Sequence, residues 1–234
     1  MRKFKLRETM KQALTQVGAA CSFRMLSSAD RALNYLWVGR WMREKGFHVP
    51  RRTESREDIF ASAAKEFRDR DVLYLEFGVY SGASIRYWSQ LLLNPQSKLH
   101  GFDSFEGLPE SWESLKKGRF DTGGSIPKID DPRVTFFKGW FSDTLPKYVL
   151  PPHDVLFVTL DADLYSSTRT VLDFIRPHVS VGTYFYFDEF YSRDHELRAF
   201  DEFLSTTQHR FALVATDPSM SRVLFRCVSH SGGE

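Results

Sequence analysis

Cysteine is almost absent, with Cys21 and Cys227 the only two among 234 residues. Two thiols make no disulfide framework, and the pattern fits a reducing, cytoplasmic compartment. No window approaches the roughly 18–20 consecutive apolar residues that a membrane span needs. Net charge is scarce as well: 32 basic and 30 acidic side chains leave +2, which argues for neither a nucleic-acid partner nor a membrane. The amino-terminal stretch is basic (Arg2, Lys3, Lys5, Arg7, Lys11), but Thr15, Gln16 and Gly18 interrupt the apolar core that a secretory signal would require. A basic, acid-poor segment of this kind is compatible with an organelle transit peptide, or with a helix that packs on a neighbour or a second subunit. Internal repeats and low-complexity tracts are missing too.

What is present suits a folded enzyme-sized domain. Hydrophobic residues make up 42% and charged residues 26% of the chain, and 234 residues are enough to bury a core without staples. Residues 1–54 form a helical extension in this reading, and 55–234 form the main domain. In the extension, Ala32, Leu33, Leu36, Trp37 and Trp41 recur at helical spacing and end near Gly46, an apolar stripe for packing or for a homodimer. A further helix spans about Ser55 to Phe67, with Ser55 as its cap and Glu57 in its first turn.

From residue 71 strands and helices alternate. Strands are expected at 72–77, 99–102, 134–137, 154–160 and 184–187, and helices at about 84–93, 166–176 and 195–204. Two β-rich runs, 211–214 and 222–228, close the chain as an antiparallel hairpin on the edge, turning at Asp217-Pro218-Ser219. Such alternation predicts an α/β fold, a doubly wound, mostly parallel, Rossmann-like sheet covered on both faces. The irregular stretch Ser104–Asp131 is long enough to be a functional loop that closes over a ligand.

In open α/β sheets ligands bind beyond the carboxyl ends of the strands. After the first strand comes Glu76-Phe77-Gly78-Val79-Tyr80-Ser81-Gly82-Ala83-Ser84, a glycine-rich turn with Tyr80 where a middle glycine would stand. After the second comes Asp103, an acid suited either to the two hydroxyls of a ribose or to capping a turn. Strands four and five end in Leu160-Asp161-Ala162-Asp163-Leu164-Tyr165 and Phe187-Asp188-Glu189-Phe190. Four clustered carboxylates require a positive partner. Either a hard divalent cation such as Mg²⁺ provides it, or the acids cap helices and pair with Arg169 or Arg193.

These stretches resemble the macrocin O-methyltransferase-like family. The matching segments are 75–82, 101–109 (Gly-Phe-Asp-Ser-Phe-Glu-Gly-Leu-Pro), 139–146 (Gly-Trp-Phe-Ser-Asp-Thr-Leu-Pro), 160–165 and 188–190, in order over about residues 55–205. The resemblance implies a class I, metal-dependent methyltransferase that uses S-adenosylmethionine on a sugar or phenolic hydroxyl in natural-product biosynthesis. It also implies a cofactor site at Glu76, Gly78, Tyr80, Ser84, Asp103 and Ser104. Asp161, Asp188 and Glu189 become the metal ligands and Asp163 the general base. Glu189 departs from the pattern, which carries a second Asp there, and its longer arm shifts the ion. A metal bound to adjacent substrate oxygens implies a small-molecule acceptor with vicinal hydroxyls.

Other residues remain open at this level. His195 follows the acidic strand as a pocket residue or a helix-start residue, while His100, His153 and His178 suit structural roles. Trp112 and Phe120 either cover a ring of the acceptor or anchor the loop, and Trp140 borders the adenine or packs. A haloacid-dehalogenase-type phosphatase is the alternative, because Asp161-Ala162-Asp163 imitates its nucleophile motif. A non-catalytic binding protein and an NAD-dependent dehydrogenase rank lower, the latter because Tyr80 fills the space a pyrophosphate needs.

Overall fold

The computed structural model describes residues 2–50, 52–112 and 115–230. Three helices lead in: α1 (Arg2–Ala20), α2 (Phe23–Glu44) and α3 (Arg56–Phe67). The α/β part follows as β1 (Val72–Phe77), α4 (Ala83–Leu91), β2 (Lys98–Asp103), β3 (Val134–Lys138), α5 (Phe141–Thr144) and β4 (Val155–Leu160). It continues with α6 (Tyr165–Ile175), β5 (Tyr184–Phe187), α7 (Glu196–Thr206), β6 (His209–Thr216) and β7 (Val223–His230).

The seven strands form one sheet in the order β3-β2-β1-β4-β5-β7-β6. The first five are parallel, whereas β7 runs antiparallel to both β5 and β6. The expected terminal hairpin is there, but its second strand inserts beside β5 and leaves β6 at the edge. Side chains alternate across a strand. On β1, Leu73, Leu75 and Phe77 enter the core layer shared with α6 and α7. Val72 and Tyr74 enter the other layer, with α3 and α4. Burial on both faces is what allows β1 and β4 to be apolar runs rather than alternating ones.

The strand order reverses between β1 and β4, so the carboxyl ends of β1, β2, β4 and β5 open onto one crevice. Between β2 and β3 the described residues form no helix or strand, as expected of the long loop. Residues 113 and 114 of that loop lie outside the described ones.

The amino-terminal helices differ from expectation. Ser22 restarts the chain after α1, its hydroxyl accepting from the Met25 N–H at 3.3 Å. Of the predicted stripe on α2 only Trp41 is buried; the buried face is Asn34, Val38, Trp41 and Met42. Trp41 donates from Nε1 to Asp201 Oδ1 at 2.6 Å and packs with Phe190, Phe200 and Phe225. Leu33, Leu36 and Trp37 point away from the sheet and stay exposed. The helix has two apolar faces, and periodicity alone does not say which one meets the core. Among the described residues no helix is long and apolar enough to cross a membrane.

Candidate active site

The turn after β1 is shaped by chain-to-chain contact. Gly78 has φ +92, and a Cβ there would lie 1.8 Å from the Asp161 carbonyl oxygen, so the turns after β1 and β4 touch through this glycine. Gly82, at φ +76, approaches the Pro127 ring. Both glycines are therefore required by the protein itself, in addition to any ligand. Asp103 ties the crevice together. Its Oδ2 accepts from the Val79 and Tyr80 N–H groups at 2.8 Å each, and its Oδ1 accepts from the Phe105 N–H at 2.7 Å. One carboxylate thus fixes the glycine turn and the start of the long loop, the turn-capping alternative raised by its position.

A cavity of about 460 Å³ opens beside these turns, within the size range of small-molecule sites. Of the residues singled out from sequence, Gly78, Tyr80, Asp103, Ser104, Asp161, Asp163, Asp188 and Glu189 line it. Glu76 and Ser84 do not; both are buried behind the wall. Trp112, Phe120 and Trp140 also face the cavity. Trp112 anchors the loop at the same time, in a small cluster with Leu108 and Leu164. Tyr80, Phe120 and Asp163 are non-glycine wall residues with positive φ, at 50°, 69° and 59°. Such conformations hold strain that surrounding structure must enforce, and they concentrate at ligand sites.

Carboxylates gather at the crevice. Asp161, Asp163, Asp188 and Glu189 face the cavity, with Glu196 and Glu76 fully buried nearby. Burial, reinforced by Asp188 and Asp163, raises Asp161 well above the usual carboxylate range. Burial likewise raises Glu196, whose Oε2 accepts from the Glu189 N–H at 3.0 Å and whose Oε1 has no partner. For Asp161 and Asp188 the positive partners are neither Arg169 nor Arg193. Arg169 pairs with Asp173 and Glu202, and Arg193 with Asp30 and Asp194. Arg222 donates to Asp188 Oδ1 at 3.1 Å instead, and Arg56 Nη1 stands 3.8 Å from both Asp161 Oδ2 and Asp188 Oδ1.

Among the described residues no three acidic, histidine or cysteine side chains converge as a ready metal cage. The donor chemistry nevertheless suits a hard divalent ion: several carboxylate oxygens at one cavity, and a buried carboxylate oxygen of Glu196 without a partner.

The family model for macrocin O-methyltransferase (TylF) matches residues 51–220. The chain belongs to the macrocin O-methyltransferase family. Among curated relatives, it is 28% identical to an 8-demethyl-8-(2,3-dimethoxy-alpha-L-rhamnosyl)-tetracenomycin-C 4'-O-methyltransferase of Streptomyces olivaceus, over 50% of this chain and 52% of that one. It is 42% identical to demethyldecarbamoylnovobiocin O-methyltransferase of Streptomyces niveus, over 38% and 40%. The chain spans about half the length, or less, of these curated relatives. Of the solved structures, the O-methyltransferase NovP superposes with a TM-score of 0.60 at 23% identity, covering 74% of this chain and 80% of that chain. The calicheamicin methyltransferase CalS11 gives 0.57 at 23% identity, over 73% and 77%. These likenesses establish the Rossmann-like fold of class I methyltransferases, and the family assignment leaves the phosphatase alternative without support.

The histidines of this family member take structural positions. His195 caps the start of α7, its Nδ1 accepting the Tyr165 N–H at 3.2 Å, and is absent from the cavity wall. His100 Nδ1 lies 2.6 Å from the Tyr148 hydroxyl, and burial lowers its pKa to about 4. His153 donates to the Pro151 carbonyl. Sequence reasoning missed Phe141, Ser142, Ser166, Ser167 and Thr170 on the wall, as well as Arg56, Arg222 and Glu196. Ser166, Ser167 and Thr170 lie in the first half of α6, directly after the acidic motif, so their proximity was available from the chain order. Arg56 is 105 positions from Asp161, and no local pattern links them.

Proposed function

We propose that this protein is an S-adenosylmethionine-dependent, divalent-metal-assisted O-methyltransferase acting on a sugar or phenolic hydroxyl of a natural product with a vicinal oxygen. The carrying observation is that the glycine turn of β1 and the carboxylates after β4 and β5 face one cavity of about 460 Å³. The curated relatives are named as O-methyltransferases of a rhamnosyl-tetracenomycin-C and of demethyldecarbamoylnovobiocin, and a structure described as "cmcI-D160 Mg-SAM" superposes with a TM-score of 0.51 at 20% identity. We place the protein in the cytoplasm, in keeping with two free thiols, and assign α1 and α2 to association with a second copy.

When bound, S-adenosylmethionine supplies an electrophilic methyl group and the divalent ion supplies Lewis acidity. Gly78, Tyr80, Asp103 and Ser104 line the cofactor end, where Trp140 offers a flat ring. Asp103 already accepts three N–H groups, which leaves about one lone-pair position for a ribose hydroxyl. It therefore acts chiefly by holding the loop, while Glu76 and Ser84 support the wall from behind. Asp161, Asp188 and Glu189 would hold the ion. Asp163 accepts the proton of the acceptor hydroxyl, on a backbone whose positive φ presents it to the cavity. Most of the rate would come from aligning the two reactants.

Calorimetric titration with S-adenosylhomocysteine, with and without Mg²⁺, tests this reading. The expected outcome is saturable binding that Asp103→Ala weakens at least tenfold and Asp163→Asn leaves intact. Asp163→Asn should instead lower kcat for methyl transfer to diols or catechols by about 10²-fold or more. No binding in either condition would overturn the proposal. Equal turnover of an isolated hydroxyl without metal would remove its metal component.

A further inference from the structure

Among the described residues, Arg222 and Arg56 stand at the Asp161 and Asp188 carboxylates and differ in what they bridge. Arg222 is committed to one carboxylate, Asp188. Arg56 stands at equal distance, 3.8 Å, from Asp161 and Asp188, two of the residues assigned above to the divalent ion. Its position is built in. Ser55 and Asp58 form a reciprocal cap that fixes the first turn of α3, where Arg56 is the first residue. One turn further, Phe60 packs edge-on against Tyr186 with ring centroids 4.7 Å apart. Tyr186 in turn donates to Asp188 Oδ1 at 2.6 Å. The helix and β5 are thereby locked together, and the Arg56 side chain, three-quarters covered, has little room to leave.

We infer that Arg56 is a tethered counter-cation of the metal site, a positioning residue that holds Asp161 and Asp188 together without the ion and weakens the ion's binding when it arrives. The inference rests on the cation assignment of the proposed function. Its physical content is simple. Two carboxylates flanking one guanidinium are partly neutralised, and a divalent ion brought to the same oxygens meets a fixed positive charge a few ångströms away. The fold thus trades ion affinity for a crevice that stays closed against acid–acid repulsion. That predicts a protein whose divalent ion is exchangeable rather than permanently held.

The experiment measures Mn²⁺ binding to the full chain by electron paramagnetic resonance, with melting curves as a check of folding. Arg56→Gln removes the charge and should bind Mn²⁺ at least about tenfold more tightly than the wild type. Arg56→Lys keeps the charge and should stay close to the wild type. Without ion the Gln variant should melt lower, and Mn²⁺ should restore more of its melting temperature than it adds to the wild type. A merely structural arginine would weaken ion binding when replaced, or leave it unchanged, and either result overturns the inference. So would equal tightening by Gln and Lys. Absence of Mn²⁺ binding in all three proteins, with S-adenosylhomocysteine still bound, would overturn the cation assignment and the inference with it. Should Arg56→Gln fail to fold, Ser55→Ala loosens the turn that aims the guanidinium and should shift Mn²⁺ affinity in the same direction.

Discussion

Glu76 shows how much a side chain's surroundings decide its chemistry. As an acid at the end of β1 it reads as a cofactor contact, yet it is buried with the Tyr74 hydroxyl donating to its Oε2 at 2.5 Å. Burial outweighs that hydrogen bond and the nearby Arg56, and pushes its pKa from 4.5 up to about 8. The folded state then keeps a proton that the unfolded chain has released, so stability falls as pH rises from about 4.5 to about 8 and is level above that. Replacing the group by Glu76→Gln should flatten this part of the curve, by about 5 kcal/mol at most between the two limits. Denaturant midpoints from pH 5 to 9 check it: parallel curves for the two proteins would show that Glu76 is ionised in the fold. The placement was half legible. Val72, Tyr74 and Glu76 share one face of β1 by strand parity, which already turns Glu76 toward the helices α3 and α4. What the sequence could not show was Arg56, because its approach to Asp161, across 105 positions, leaves no local pattern.

At the scale of elements, the strands β1 to β5 and the helices α4, α6 and α7 fall close to where the pattern places them, because parallel strands buried on both faces carry apolar runs and the helices between them carry the 3.6-residue period, whereas the single turn of α5 is too short to show one. The long loop is different. Its order comes from scattered ties, the Asp103 carboxylate to Phe105 and the Glu106–Asp121 bridge among them, and none has a period. The glycine turn lies between these extremes, since its residues were legible but their cause was not. If Gly78 serves the contact between the turns after β1 and β4, Gly78→Ala must displace backbone, the Asp161 carbonyl standing 1.8 Å from the new Cβ. A loss of 3 kcal/mol or more is expected, or failure to fold. Gly82→Ala meets only the Pro127 ring at 3.0 Å and should cost less, although its φ is also positive. Chemical denaturation of both variants decides the point, and a Gly78 variant no weaker than the Gly82 variant would refute the packing account.

The whole molecule is asymmetric in both charge and apolar exposure. Residues 2–44 hold nine basic and three acidic side chains, a net +6, against +2 for the full chain. Twelve of the nineteen exposed large hydrophobics among the described residues also lie on α1 and α2, with Leu36 70% and Trp37 50% exposed. Helices in proteins draw most of their stability from packing an apolar face, and no described side chain of α1 is buried, so a partner surface would stabilise it. The remaining exposed apolar side chains are scattered singly over the domain and offer none. The same helices on a second copy are the partner proposed above, for which a stable interface needs roughly 800 Å² per partner. Two such helix pairs bring +6 against +6, which sets the sign of the salt effect: screening relieves the repulsion, so the dimer should tighten as salt rises. Sedimentation from 50 to 500 mM NaCl should show that trend, and Leu36→Glu with Trp37→Glu should give a monomer of 27.2 kDa with an unchanged melting transition. A wild-type monomer at tens of micromolar would end the dimer assignment. If the helices instead bound an anionic surface, added salt would weaken the interaction, and the opposite slope would identify that partner.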